Sequence, residues 1–192
     1  MAQKRKVRKV DKLKKKKWYK IYAPKAFNEV ILGETPANKP ENVINRVAEK
    51  SAAELFGQRK LSHIIAKFKV VNVKDERAET EIIGFRSDST FLKRIVRRRR
   101  SKIDAIVPVV TKDGKKFRIT MTTITQRKIE SEKETEIRKI MEEEILKATK
   151  NSDYEKFLTE LMLGIVAQKV MQRAKKVAVI QRIEAIKAKP LK

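Results

Sequence analysis

Four consecutive arginines, Arg97, Arg98, Arg99 and Arg100, are the residues best suited to chemistry with a partner. A guanidinium is planar, always charged, and presents a fork of donors that clamps a phosphate. Further on, Lys112, Lys115, Lys116 and Arg118 flank the pair Asp113-Gly114. Lysine adds mobile point charge to such a group. A third set opens the chain: Lys4, Arg5, Lys6, Arg8, Lys9, Lys12, Lys14, Lys15, Lys16 and Lys17, ten cations against the single Asp11 in residues 1–17. Trp18 and Tyr19 follow directly. They are placed either to stack on splayed bases or to enter a core. The chemistry common to the three sets is polyanion binding. Lysine and arginine total 49 against 24 acids, a formal charge of +25. A compact chain with that charge repels itself, so a bound polyanion is its natural counterpart, nucleic acid ahead of an anionic membrane.

Catalytic and metal chemistry find no constellation. There is no cysteine, which removes thiolate zinc sites and cysteine nucleophiles, and with one histidine, His63, histidine-based metal sites and Ser-His triads have almost nothing to build on. His63 lies in a strand-like run and reads as a half-buried structural histidine. Glu142, Glu143 and Glu144 are contiguous, so on a helix they diverge by about 100° per residue and cannot converge on one ion. Gly33, Gly57, Gly84, Gly114 and Gly164 lack phosphate-cradling spacing. The expected sites are therefore catalytic none, metal none and cofactor none. No apolar run approaches the ~20 residues of a bilayer span. The cationic start has no apolar stretch behind it, unlike a secretory signal. A reducing, intracellular setting fits.

The basic groups need elements to hold them. Asp88 or Ser89 can cap a helix carrying Phe91, Leu92, Ile95 and Val96, which puts Arg97–Arg100 in its last turn, where cations suit the dipole. There they fan across a wide, curved phosphate surface of the kind folded RNA offers, which is read by shape and backbone. Asp-Gly between two β-branched runs signals a hairpin. A two-residue turn at Asp113-Gly114 pairs Val110 with Phe117, Pro108 with Ile119 and Ile106 with Met121. All six then share one buried face, with the lysines at the tip.

Upstream, the arm at 1–17 is disordered until bound. WYKIYAP alternates as a strand with Tyr19, Ile21 and Ala23 on one face, closed by Pro24. A short apolar run at 28–32 ends at Gly33, and GETPANKPEN reads as a loop. Residues 42–56 favour helix by propensity, although Val47, Ser51, Ala53 and Leu55 also fit a period of two. Runs at 60–73 and 78–85 form another hairpin across KDER. Beyond Thr125 the composition changes: residues 128–160 hold ten acids and seven bases. Ser131 with Glu134, and Ser152 with Glu155, read as capping boxes. Ile137, Ile140, Met141, Ile145 and Ala148 form one helical stripe; Phe157, Leu158, Leu161, Met162, Ile165 and Val166 form a second. The pair makes a helical hairpin joined at Asn151. Its acids are solvated faces, or face basic neighbours. Val177 to Ile186 is the tail of a helix or a last strand, and Lys187, Lys189 and Lys192 make the end basic again.

Taken together, KKWYKIYAPKAF (16–27), GETPANKPENVINRV (33–47), AETEIIGF (78–85), RRRRSKIDAI (97–106), TKDGKKFRI (111–119) and IRKIMEEEI (137–145) resemble the S-three-a-e family of small-subunit ribosomal proteins, in family order and over nearly the whole chain. The length resembles an archaeal-type member. The resemblance implies a β-barrel-like domain followed by a helical region. It implies a non-enzymatic place on the platform of the small subunit, near the mRNA exit and the 3′ end of the rRNA, in contact with rRNA and neighbouring proteins. It also implies strand over 46–55. Two positions depart from the family: Asn45 stands where a glycine is usual, and Ala178, Val179 and Ile180 replace Tyr-Pro-Leu.

The expected fold is α+β: a basic N-terminal arm at 1–17, a partly closed antiparallel β-barrel-like rRNA-binding domain at 18–127 with one short helix, and a helical region at 128–192. The expected function is that of a structural constituent of the small ribosomal subunit in the cytoplasm, with no membrane and no small-molecule substrate. The rival is a free nucleic-acid-binding regulator or chromatin protein.

Overall fold

Alternation at the start of the chain produces the first strand, β1 (Lys17–Tyr22), which buries Tyr19 and Ile21 and leaves Trp18 59% exposed. The computed structural model describes residues 16–150 and 152–191, so the arm before Lys16 and the helical junction at Asn151 lie outside the described residues. β1 pairs antiparallel with β2 (Ile31–Ala37). The expected loop from Gly33 is therefore strand for half its length. Pro36 is tolerated because β2 ends the sheet, where a missing N–H breaks no ladder.

Residues 42–56 are neither all helix nor all strand. β3 (Val47–Ser51) is followed directly by α1 (Ala52–Phe56), and Ser51 caps that helix by accepting from Ala53 N–H at 3.3 Å. The strand implied over 46–55 is thus correct only in its first half. Asn45 sits at φ +67, a conformation glycine or asparagine adopts at least cost. Its N–H reaches Val70 O at 2.9 Å and enters β3 against its neighbour. That neighbour is β4 (Ile64–Lys74), which forms the expected hairpin with β5 (Arg77–Ser87).

β5 is the hub of the sheet. One edge carries β4; the other carries β1 at its start, in parallel, and β8 (Ile180–Pro190) at its end. Close approach at that end depends on Gly84: a Cβ there would overlap the Ala188 carbonyl oxygen and lie 3.1 Å from the carbonyl carbon. β8 also pairs with β7 (Lys116–Thr125), and β7 with β6 (Lys102–Val110), giving the order β2-β1-β5-β8-β7-β6, with β4 and β3 branching from β5. The fold is α+β as expected, and its eight-stranded sheet remains open. The alternative at 177–186 resolves as strand from Ile180.

The hairpin register differs by one residue from expectation. Val109 faces Phe117, Val107 faces Ile119 and Ala105 faces Met121, so Ile106 and Val110 point outward at 59% and 54% exposure. The cause is the turn. Gly114 N–H donates to Thr111 O at 3.0 Å, Thr111 N–H donates to Lys115 O at 3.2 Å, and Gly114 sits at φ +72. This is a three-residue loop with a glycine bulge rather than a two-residue turn, and a one-residue change moves every side chain to the other face.

Among the described residues the helical region holds three helices rather than two: α3 (Ser131–Lys150), α4 (Tyr154–Met162) and α5 (Ile165–Ala174). Gly164 at φ +77 breaks the second expected helix. The 137/141/145 stripe of α3 is fully buried, and α3 packs on β6 while α5 packs on α3 and β8. These side chains join Phe68, Phe85 and Phe117 of the sheet, Phe157 of α4 and Phe27 of the turn after β1 in one continuous apolar cluster. Each such ring contributes about 1.5–3 kcal/mol on burial. The Ser152 capping box does not form. Asp153 is the cap residue, with no side-chain bond of its own. Instead Asp113, at the hairpin tip, accepts from Tyr154 N–H at 2.8 Å. A carboxylate at a helix N-terminus satisfies an orphan donor and suits the dipole, whichever segment supplies it.

Candidate nucleic-acid interface

The arginine run lies just beyond a helix rather than within one. Asp88 caps α2 (Ser89–Ile95), accepting from Thr90 N–H at 3.2 Å, and the helix ends at Val96 with extended backbone. Arg97–Arg100 form the following turn, with Arg99 at φ +65. The expected place in the last helical turn is thus corrected. The helix stops there because Val96 takes extended backbone and the chain turns to enter β6. The turn is pinned behind the arginines: buried Ser101 accepts from Ile129 N–H at 3.2 Å, and its N–H reaches Thr125 Oγ1 at 3.0 Å. On this anchored loop Arg97, Arg98 and Arg99 are exposed, while Arg100 is half-buried.

A hollow of about 370 Å³ opens beside the turn, lined by Arg94, Arg97, Arg100, Arg182 and Gln181, with Phe91 and Ile95 as its apolar part. Arg100 donates to Gln181 Oε1. Arg182 lies 4.8 Å from the Phe91 ring centre, and its Nε donates to Glu184 Oε1 at 2.7 Å. The other face of this cluster contains His63, stacked on Phe91 at 3.8 Å and 3.5 Å from Glu184 Oε2. Burial pushes the Glu184 carboxyl up, but the approach of His63 and Arg182 outweighs it and holds the group below the ordinary value. His63 is thus a buried partner in a structural cluster. Among the described residues, Arg94, Arg97, Arg98 and Arg99 have no carboxylate partner. Arg94, Gln181 and Arg182 were not legible as site residues: Gln181 and Arg182 come from β8, far along the chain.

The hairpin lysines divide. Lys112, Lys116 and Arg118 are exposed. Lys115 is exposed too but paired: its Nζ bonds Glu81 and lies 4.9 Å from the Tyr154 ring centre. Tyr154 itself donates to Ile83 O, and burial pushes its phenol up to about 12. Register extends the basic surface beyond the tip. Arg118 stands between Pro108 and Lys189, and Thr120 between Ile106 and Lys187, which in turn faces Arg86. Neighbours across a sheet are about 5 Å apart, so this outer row sets cations among exposed apolar side chains. Arg86 is offset by Glu49, whose carboxyl is held below its usual range by hydrogen bonds from Lys67 and Arg86.

At the far end of the sheet, Trp18 is exposed opposite Pro36, with Lys17 and Lys20 beside it, while Tyr19 enters the core. Of the arm, Lys16 and Lys17 are described; Lys4, Arg5, Lys6, Arg8, Lys9, Lys12, Lys14 and Lys15 lie outside the described residues. The acidic run on α3 is drawn into pairs: Arg173 reaches Glu144 at 2.6 Å and Glu143 at 2.9 Å. Burial raises the Glu144 carboxyl, yet Arg173 and Lys147 together hold it below the ordinary value.

Comparison with known proteins adds to this geometry. Residues 4–192 match the Ribosomal S3Ae family. Relatives named small ribosomal subunit protein eS1 include one from Staphylothermus marinus, 33% identical over 181 residues, covering 94% of this chain and 85% of the relative. Another from Sulfurisphaera tokodaii is 35% identical over 182 residues, covering 95% and 94%. A third from Methanocaldococcus jannaschii is 37% identical over 188 residues, covering 97% and 85%.

Proposed function

The chain belongs to the Ribosomal S3Ae family, and on that premise we propose that it is a structural, non-enzymatic constituent of the small ribosomal subunit in the cytoplasm. It binds rRNA and neighbouring ribosomal proteins on the platform, near the mRNA exit and the 3′ end of the rRNA. The observation that carries the RNA part is the anchored turn with exposed, unpaired arginines on a chain of formal charge +25. Such a surface lowers its own repulsion by meeting phosphates, and each phosphate it meets releases counterions.

The parts divide the work. The arm at 1–17, Arg97–Arg100, Lys112, Lys116 and Arg118 hold RNA backbone, and Trp18 stacks on an unpaired base. Residues 18–127 form the rRNA-binding unit, and the helices within 128–192 present acids to basic protein neighbours. If these groups meet ~10 phosphates, the log–log salt slope of RNA binding is roughly −7 to −9. A slope near −2 would refute this mechanism.

The decisive experiment is sedimentation of cell lysate through a sucrose gradient at low and moderate salt. Stoichiometric co-migration with the small subunit is expected. A chain found at the top of the gradient, binding duplex DNA as well as rRNA, would instead make it a free regulator or chromatin protein. Crosslinking within the assembled subunit tests the platform position: contacts confined to rRNA remote from the 3′ end would overturn it.

A further inference from the structure

The hollow beside the arginine turn contains more order than charge neutralisation requires. Arg94, Arg97 and Arg100 reach it from α2 and the turn, and Arg182 from β8, so four guanidinium groups line about 370 Å³ with no carboxylate among the lining residues. Two of them are held in place. Arg100 is bonded to Gln181, and Arg182 is fixed by Glu184 and by the Phe91 ring. Glu184 is engaged through Arg182 Nε and by His63, which leaves the terminal nitrogens of Arg182 available. Four like charges drawn into one hollow repel one another unless an anion enters. Pre-positioned guanidinium forks match the paired oxygens of a phosphodiester. The volume has room for a sugar–phosphate segment and not only for one bare ion. Phe91 and Ile95 give the ribose an apolar wall.

We propose that this hollow is a clamp for the RNA sugar–phosphate backbone, in which Arg94 and Arg182 act with Arg97 and Arg100 on adjacent phosphates. It rests on the RNA-binding reading above and adds to it a discrete site that exists only when β8 is docked beside α2. The outer row and the arm then supply general attraction, and the clamp sets where the backbone lies.

The test uses the full chain and deproteinised small-subunit rRNA from Methanocaldococcus jannaschii, with Kd measured across a series of salt concentrations. Gln181→Glu puts a carboxylate in the hollow. Gln172→Glu makes the same charge change on the exposed face of α5, away from Arg182. Gln181→Glu should weaken binding about 10-fold and Gln172→Glu by less than about twofold. Arg94→Gln, at an exposed residue with no partner among the described residues, should reduce the salt slope by about 0.7–0.9. Circular dichroism and the thermal midpoint of each variant check that the fold is kept. Equal weakening by the two glutamates, or an unchanged slope in Arg94→Gln, overturns the clamp. Wild-type protein that binds this rRNA no better than duplex DNA overturns the RNA-binding reading and the clamp with it. Normal wild-type binding with indifferent hollow variants overturns the clamp alone.

Discussion

Replacing Gly84 with alanine tests the junction on which the whole sheet turns. The new Cβ would overlap the Ala188 carbonyl oxygen and sit 3.1 Å from its carbonyl carbon. Both are backbone atoms of β8, so no side chain can swing aside. Relief requires a separation of about 1 Å between β5 and β8, as core overpacking generally forces backbone shifts. Among the described residues the two strands pair through Phe85–Ala188 and Arg86–Lys187, both within two residues of Gly84. Losing one ladder bond at about 1 kcal/mol, with strain of about 1–3 kcal/mol, predicts destabilisation of roughly 2–4 kcal/mol. The domain stays folded on that figure, because typical stabilities are about 5–15 kcal/mol. β8 also keeps its long pairing with β7. Urea unfolding followed by circular dichroism measures the effect, with Gly33→Ala as the comparison, since a Cβ at Gly33 meets nothing within 4 Å. A Gly84→Ala midpoint within about 0.5 kcal/mol of wild type would refute the close-approach argument.

Three further outcomes follow from side-chain placement. Tyr154, pushed up to about 12 by burial, is more acidic in the unfolded chain than in the fold. Stability is therefore full below about pH 10 and falls through about pH 12, by up to about 2–3 kcal/mol. Tyr154→Phe should abolish that alkaline loss in pH-dependent urea titrations, while costing about 1 kcal/mol at neutral pH for the bond to Ile83 O. Asp113→Ala leaves Tyr154 N–H without its acceptor and should cost about 1 kcal/mol, whereas Asp113→Asn keeps an acceptor and most of the stability. Glu184 is held below its usual carboxylate value, so its contribution is present above about pH 4.5 and lost as pH falls through its folded pKa. Thermal melts of Glu184→Gln should start lower at neutral pH and decline less steeply below that point. Parallel acid curves for the two proteins would remove Glu184 from the account.

The charge of the chain was legible from residue types alone. Runs such as Arg97–Arg100 and the lysines about Asp113-Gly114 carry charge whatever their surroundings, and +25 repels itself in any fold. Local alternation was equally informative: β1 buries Tyr19 and Ile21, and the 137/141/145 stripe of α3 is buried as its spacing requires. Periodicity works there because one face must leave water, and that face is set by backbone geometry. Where several local solutions cost nearly the same, the sequence could not choose. A two-residue turn and a glycine-bulge turn at 111–115 differ by little locally, yet they put opposite faces of β6 into the core, and packing against α3 accepts only one. Residues 46–56 likewise hold weak preferences for both helix and strand, and pairing with β4 ends the strand where Ser51 can start a helix. Contacts over long separations were decided by tertiary structure alone. Nothing local joins Asp113 to the start of α4, Gly84 to Ala188, or Arg182 to Arg94. Each depends on how the strands and helices pack together, because the free energy of closing such a contact comes from burying the whole core and not from the two residues that meet.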